Sequence, residues 1–233
     1  MPVPNLLRFV RPGWMWALAA GSLVIAAGSR VYFDAEEIPP FVIEKLPLPM
    51  EGLWLFALKA HVVAAAFALP ACLLSSLKSM LRRPRAHRWL GRVTGVVVLF
   101  VLAPSGLYLS LFAKGGLPST LGFILSGVIV IAAMARGIAH ARARDFVAHR
   151  RCVLHVLAQL SVAVTSRALL LALDAAGADP DPAYLFSLWA PVLGSAAFVE
   201  LHLSRRNTGR NRHEEVVRPL DVVRRQPGLG RAV

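Results

Sequence analysis

The sequence predicts an all-α membrane protein: a bundle of about six transmembrane helices with both termini on the cytoplasmic side. Three observations carry this reading. Hydrophobic residues make up 56% of the 233 residues and charged residues only 17%, against about 25% charged in a soluble domain. The apolar residues gather in six blocks, each near the ~20 residues that a helix needs to cross a bilayer. The basic residues lie between these blocks rather than within them.

Residues 1–12 form a short segment without signal-peptide anatomy, so the first apolar block is expected to be retained. The six blocks run over 13–33, 52–77, 89–112, 119–139, 152–173 and 183–203. Helices are the natural spanning form, because each satisfies its own backbone hydrogen bonds in lipid. A membrane barrel would need short alternating strands, and the pattern does not alternate. Between the first two blocks, "DAEEIPPFVIEKLPLPME" at 34–51 carries Pro39, Pro40, Pro47 and Pro49 and predicts an extended periplasmic loop. Pro70 and Pro104 fall inside blocks and can kink their helices. The basic stretch 204–233 reads as a disordered tail, or one lying on anionic lipid.

Orientation follows from the Lys and Arg residues. Residues 1–12, 78–92, 136–151 and the stretch after 203 hold 21 of the 26. Eight of the 13 acids lie on the opposite side: Asp34, Glu36, Glu37, Glu44, Glu51, Asp174, Asp179 and Asp181. The basic side is cytoplasmic by the positive-inside rule, which predicts a multi-pass membrane protein. The net charge of +13 is explained by this orientation, so nucleic acid is not an expected partner. Cys72 and Cys152 make no disulfide framework.

Two His-Arg motifs open apolar helices at the basic end: "RRPRAHRWLGRV" at 82–93 and "HRRCVLH" at 149–155. They hint at two parallel hairpins. His87, His140 and His149 sit at this interface, His155 one turn deeper, and His202 closes the sixth block there. A histidine at such a position commonly serves as an interfacial anchor. His61 differs, because an ionisable group within a span normally faces the bundle interior and marks function. Its plain alternative is a neutral histidine bonded to a neighbouring helix.

Helical spacing places His61, Ala65, Ala68 and Cys72 on one stripe. Gly122, Ser126, Ala133, Gly137 and His140 form another, and His155, Gln159 and Ser166 a third. Small faces like these favour close helix contact over room for a flat ligand. Arg167 and Glu200 are charges within spans and should have partners. Glu200 is expected to meet His155 or Arg151. Arg167 lies 16 residues after Arg151, some 24 Å along a helix rising about 1.5 Å per residue. It is expected to turn into the bundle, find an acceptor on the second, third or sixth span or a bound anion, and border an outer-leaflet cavity with His61.

"HRWLGRV", "SGLYLS", "GGLPSTLGF", "ARARDFVAHRR", "SVAVTSRALL" and "LWAPVLGSAAFVE" follow one another between His61 and Glu200. In this order they resemble an uncharacterised bacterial multi-pass membrane family, number 2306 of the domains of unknown function. The resemblance implies that His61, His87, Arg88, Gly91, Arg92, His149, Arg150, Arg167 and Glu200 belong to the family's characteristic set. The chain departs from the family's usual HRRWM-x-R at Cys152, Val153 and His155. The resemblance implies architecture and no particular activity.

Two functional readings are expected. The first is a b-type haem or redox-cofactor protein of membrane electron transfer, with a redox or membrane partner protein. His61, His87, His149 and His155 are its candidate cofactor residues, His87 and His149 its candidate iron ligands. Arg88, Arg92, Arg150, Arg167 and Glu200 are its supporting charges. The second is a non-catalytic membrane module that binds a partner, lipid or small anion, with a small transporter as a further alternative. No P-loop and no G-x-S-x-G elbow occurs in the chain.

Overall fold

The structure, a computed structural model, describes residues 6–34, 40–43, 45, 47–48 and 50–224. Side chains are described over 13–34, 42–43, 45, 47–48, 50–201 and 203. Every regular element among the described residues is helical. In chain order they are α1 (Leu6–Gly28), a 3-10 turn (Ser29–Phe33), α2 (Pro40–Ile43), α3 (Glu51–Ser75), α4 (Lys78–Leu81) and α5 (Pro84–Val97). A π-helical turn (Val98–Leu102), α6 (Ala103–Ser110), α7 (Gly116–Arg142), α8 (Phe146–Ala175) and α9 (Pro180–Arg224) complete the chain.

Six helical spans are long and apolar enough to cross a membrane: Gly13–Phe33, Glu51–Ser75, Pro84–Ser110, Gly116–Arg142, Phe146–Ala175 and Pro180–Leu201. Each coincides with one of the six apolar blocks. The chain divides into two compact units, Met1–Ala196 and Ala197–Val233. The first holds the bundle. Within the second, α9 continues to Arg224, where a disordered tail was expected from residue 204. Arg210, Glu214 and Arg218 recur there at a spacing of four, which suits a helix. The end of that tail, 225–233, lies outside the described residues.

The 34–51 connection is not wholly extended. It contains α2, which starts on Pro40, where a missing N–H costs nothing. Val42 of α2 is 4% exposed and packs with Trp54 and Leu58 of α3. The third span is not a plain helix either. Pro104 lacks the N–H that would bond the carbonyl four residues back, and the ladder adjusts through the π turn Val98–Leu102 just before it.

The bundle packs through small residues. Ala68 is fully buried, and Ala64, Ala68, Val98, Leu102 and Val130 form the central core. Leu18 joins Leu69 and Leu73, so the early part of α1 lies against the late part of α3 and the two run antiparallel. On α7, a Cβ at Gly122 would stand 2.9 Å from Leu188, and one at Gly137 3.2 Å from Cys152. The small stripes therefore serve close helix packing. Outside, Leu23, Val24, Phe56 and Phe100 are exposed, as a lipid-facing surface requires.

Candidate functional site

Two histidines share one device. His61, on α3, places Nδ1 3.1 Å from the carbonyl oxygen of Leu102 and 3.2 Å from Ser105 Oγ. The Ser105 hydroxyl is within donating distance of Val101 O at 2.6 Å and of Leu102 O at 3.1 Å. A carbonyl can only accept, so Nδ1 carries a proton, and in the neutral ring Nε2 keeps its lone pair. The acceptor is the last residue of the π turn. Insertions of this kind recur at functional sites. Gly106 makes the approach feasible, since a Cβ there would come within 2.9 Å of His61 Cε1.

His149, on α8, places Nδ1 2.8 Å from the carbonyl oxygen of Gly137 on α7. The same logic places a proton on Nδ1. A three-residue turn brings α7 and α8 side by side here: Arg144 takes φ 59°, and Asp145 Oδ1 accepts from Ala148 N at 3.0 Å as the N-cap of α8.

His87, on the first turn of α5, lies near the backbone of Ser75 and within electrostatic reach of His149. Its Nδ1 is buried and has no hydrogen-bond partner. Both helices carry these histidines at the end of the bundle where the basic connections lie. His155 is half-buried one turn further along α8. His140 faces Asp145, with Nδ1 and Oδ2 3.6 Å apart. Arg88, Arg92 and Arg150 are exposed at this end. Among the described residues no group of three or more His, Cys, Asp or Glu side chains has metal-site geometry. Any site here rests on a pair of imidazoles.

Arg167 differs from expectation. It is exposed, and its Nη1 donates to the carbonyl of Ala163, on its own helix, at 2.9 Å. A carbonyl one turn back is reachable without crossing to a neighbouring helix. Arg167 does lie within electrostatic range of His61 and of Tyr184 on α9. Glu200 is exposed and belongs to the second unit.

Sequence reasoning left Gln159 as part of a packing stripe, but it is the polar hub of the bundle. It is 3% exposed and meets Ser126 Oγ at 2.9 Å, Val192 O at 3.0 Å and Ser195 Oγ at 3.1 Å. These bonds tie α7, α8 and α9 together. The signal was an amide within an apolar run, which must find partners in lipid. Ser105 and Gly106 were also missed as His61's neighbours, because only the packing of α3 on α6 brings them together.

A family model described as a predicted membrane protein (DUF2306) matches residues 58–203. No curated protein and no solved structure matches the chain.

Proposed function

Because the chain belongs to the DUF2306 family of predicted membrane proteins, we propose that it works within the bilayer as a histidine-ligated haem b protein of membrane electron transfer, with His87 and His149 as the iron ligands. One observation carries the reading. His149 Nδ1 donates to Gly137 O at 2.8 Å, which fixes the ring and directs Nε2 away from that bond, the second-partner arrangement usual for a metal-bound histidine. His87 stands on a different helix, within electrostatic range of His149.

The residues fit such a group chemically. Imidazoles from two separate helices would hold the iron, and the exposed Arg88, Arg92 and Arg150 would supply cations for propionates at the same end. Haem b, when bound, supplies one-electron exchange between ferrous and ferric iron. The chain's own part is to hold both rings, neutralise the propionates and limit water. His61 is a further imidazole with a free Nε2, while His155, Arg167 and Glu200 remain candidates for support. The excess of basic residues in 78–92 and 136–151 supports a cytoplasmic position for the His87–His149 end and a bacterial inner-membrane location. A redox partner protein would then dock on that basic face.

The test is an absorption spectrum of the full chain purified from haem-replete cells. A Soret band that sharpens on reduction, and that His87→Ala and His149→Ala each abolish while helicity is retained, is the expected result. A colourless preparation from such cells rejects the reading.

A further inference from the structure

At the end of the bundle opposite His87 and His149, a cavity of about 270 Å³ opens between the close of α8 and the start of α9. It is lined by Lys114, Leu170, Leu171, Asp174, Pro180 and Tyr184, among others. These residues fall where the spans Phe146–Ala175 and Pro180–Leu201 meet, at the level where a bilayer changes from acyl chain to headgroup. We infer that this cavity binds the phosphoethanolamine headgroup of a membrane phospholipid.

The chemistry is that of a zwitterion with an apolar tail. Lys114 and Asp174 place opposite charges on one cavity, and among the described residues neither forms an ion pair. Asp174 is also unfavourably placed for the fold. It sits in the last turn of α8, which contains no basic residue, and a carboxylate at a helix C-terminus opposes the macrodipole. A ligand ammonium against Asp174 relieves that conflict and meets a full charge. The phosphate then falls to Lys114. Arg167 lies on the same face of α8 about one turn below Leu171, within electrostatic range of Tyr184, and adds positive potential beneath the phosphate. Leu170, Leu171 and Pro180 offer the apolar wall along which an acyl chain can descend.

The wall is rigid rather than a loop that must be ordered. Gly177, at φ 75°, ends α8 with Gly177 N donating to Asp174 O at 2.9 Å and Ala178 N to Leu173 O at 3.0 Å. This paired closure needs the left-handed conformation that glycine adopts without strain. The volume lies below the ~300–1,000 Å³ of pockets for drug-sized ligands, so a headgroup fits and a larger polar ligand does not.

The test measures lipids retained by the full chain after extraction from vesicles of equal parts phosphatidylethanolamine, phosphatidylcholine and phosphatidylglycerol. Phosphatidylethanolamine should be enriched about tenfold over both, the scale of one charge-assisted hydrogen bond. Choline's methyl groups remove the N–H donors, and glycerol has no cation. Asp174→Asn should erase the preference, and Lys114→Gln should lower retention of all three lipids. Both side chains are exposed, so neither variant should disturb folding. Retained lipid in the vesicle ratio, or a preference unchanged in Asp174→Asn, overturns the proposal. Displacement of the lipid by an equal concentration of free phosphoethanolamine would show that the apolar wall contributes nothing, and the lipid would be the wrong source.

Discussion

Gly106 and His61 are fitted to each other: a Cβ on Gly106 would stand 2.9 Å from His61 Cε1 and 3.2 Å from Nδ1. The contact lies across two helices, beside the carbonyl of Leu102 that holds the ring. Gly106→Ala should therefore force the imidazole away and break that bond, at a cost of about 1–3 kcal/mol typical of overpacking. If the clash is with the ring alone, Gly106→Ala should cost far less on a His61→Ala background. A double-mutant cycle on unfolding in detergent reads this coupling. Simple additivity would mean that the glycine serves the backbone and not His61.

Gln159 tests the polar hub. Gln159→Leu keeps the volume and removes the bonds to Ser126, Val192 and Ser195. Hydrogen bonds between membrane helices are worth on average about 0.6 kcal/mol, and about 1.7 at most. The loss should be about 1–2 kcal/mol, measured by the midpoint of unfolding in mixed micelles. An unchanged midpoint would show that the three bonds are offset by the cost of burying the amide.

At the α7–α8 turn two interactions of Asp145 can be separated. As the N-cap it accepts from Ala148 N at 3.0 Å, and it faces His140 at 3.6 Å with the side chains 39% and 49% exposed. A cap is worth about 1 kcal/mol, whereas an exposed pair is worth about 0–1. Asp145→Ala should destabilise α8 clearly and His140→Ala hardly at all. Hydrogen exchange at Ala148 and His149 distinguishes the two. Equal effects would put the ion pair first.

Arg167→Leu should leave the bundle folded. The substitution removes a bond to the residue's own helix at Ala163, worth about 1 kcal/mol, and leucine suits lipid. The informative readout is the His61 ring resonance, which should move because Arg167 acts on that ring electrostatically. A collapsed protein would point to a partner across the bundle. A static His61 signal would separate the two residues functionally.

Orientation is checked by reporters. Fusions at the 82–83 turn and after residue 204 should read cytoplasmic, and one near Glu44 periplasmic, because the basic connections are retained inside. The reverse pattern would move the His87–His149 end, and any partner it serves, to the other face.

The six spans and their helical nature were readable in the chain itself. Hydrophobicity along 20 residues is a local, one-dimensional quantity, and lipid leaves the backbone few alternatives to a helix. For the same reason the lengths of α3 and α7 needed only small adjustment at their polar ends. At the basic end, His87 and His149 stand out in the sequence through a repeated His-Arg motif at helix starts. What the sequence could not supply was the partner of each side chain. Leu102 and Ser105 bond His61 across 41 and 44 residues of chain, and nothing local encodes such a separation. The π turn before Pro104 shows this most directly. Proline predicts a disturbance, but that an imidazole from α3 meets the carbonyl of Leu102 depends on how two helices pack. Arg167 makes the converse point: sequence reasoning sent it across the bundle, and tertiary placement left it bonded to Ala163 on its own helix. Composition and period therefore determined the spans, while packing decided which polar atoms meet, because a hydrogen bond depends on ångström-scale geometry that no periodicity contains.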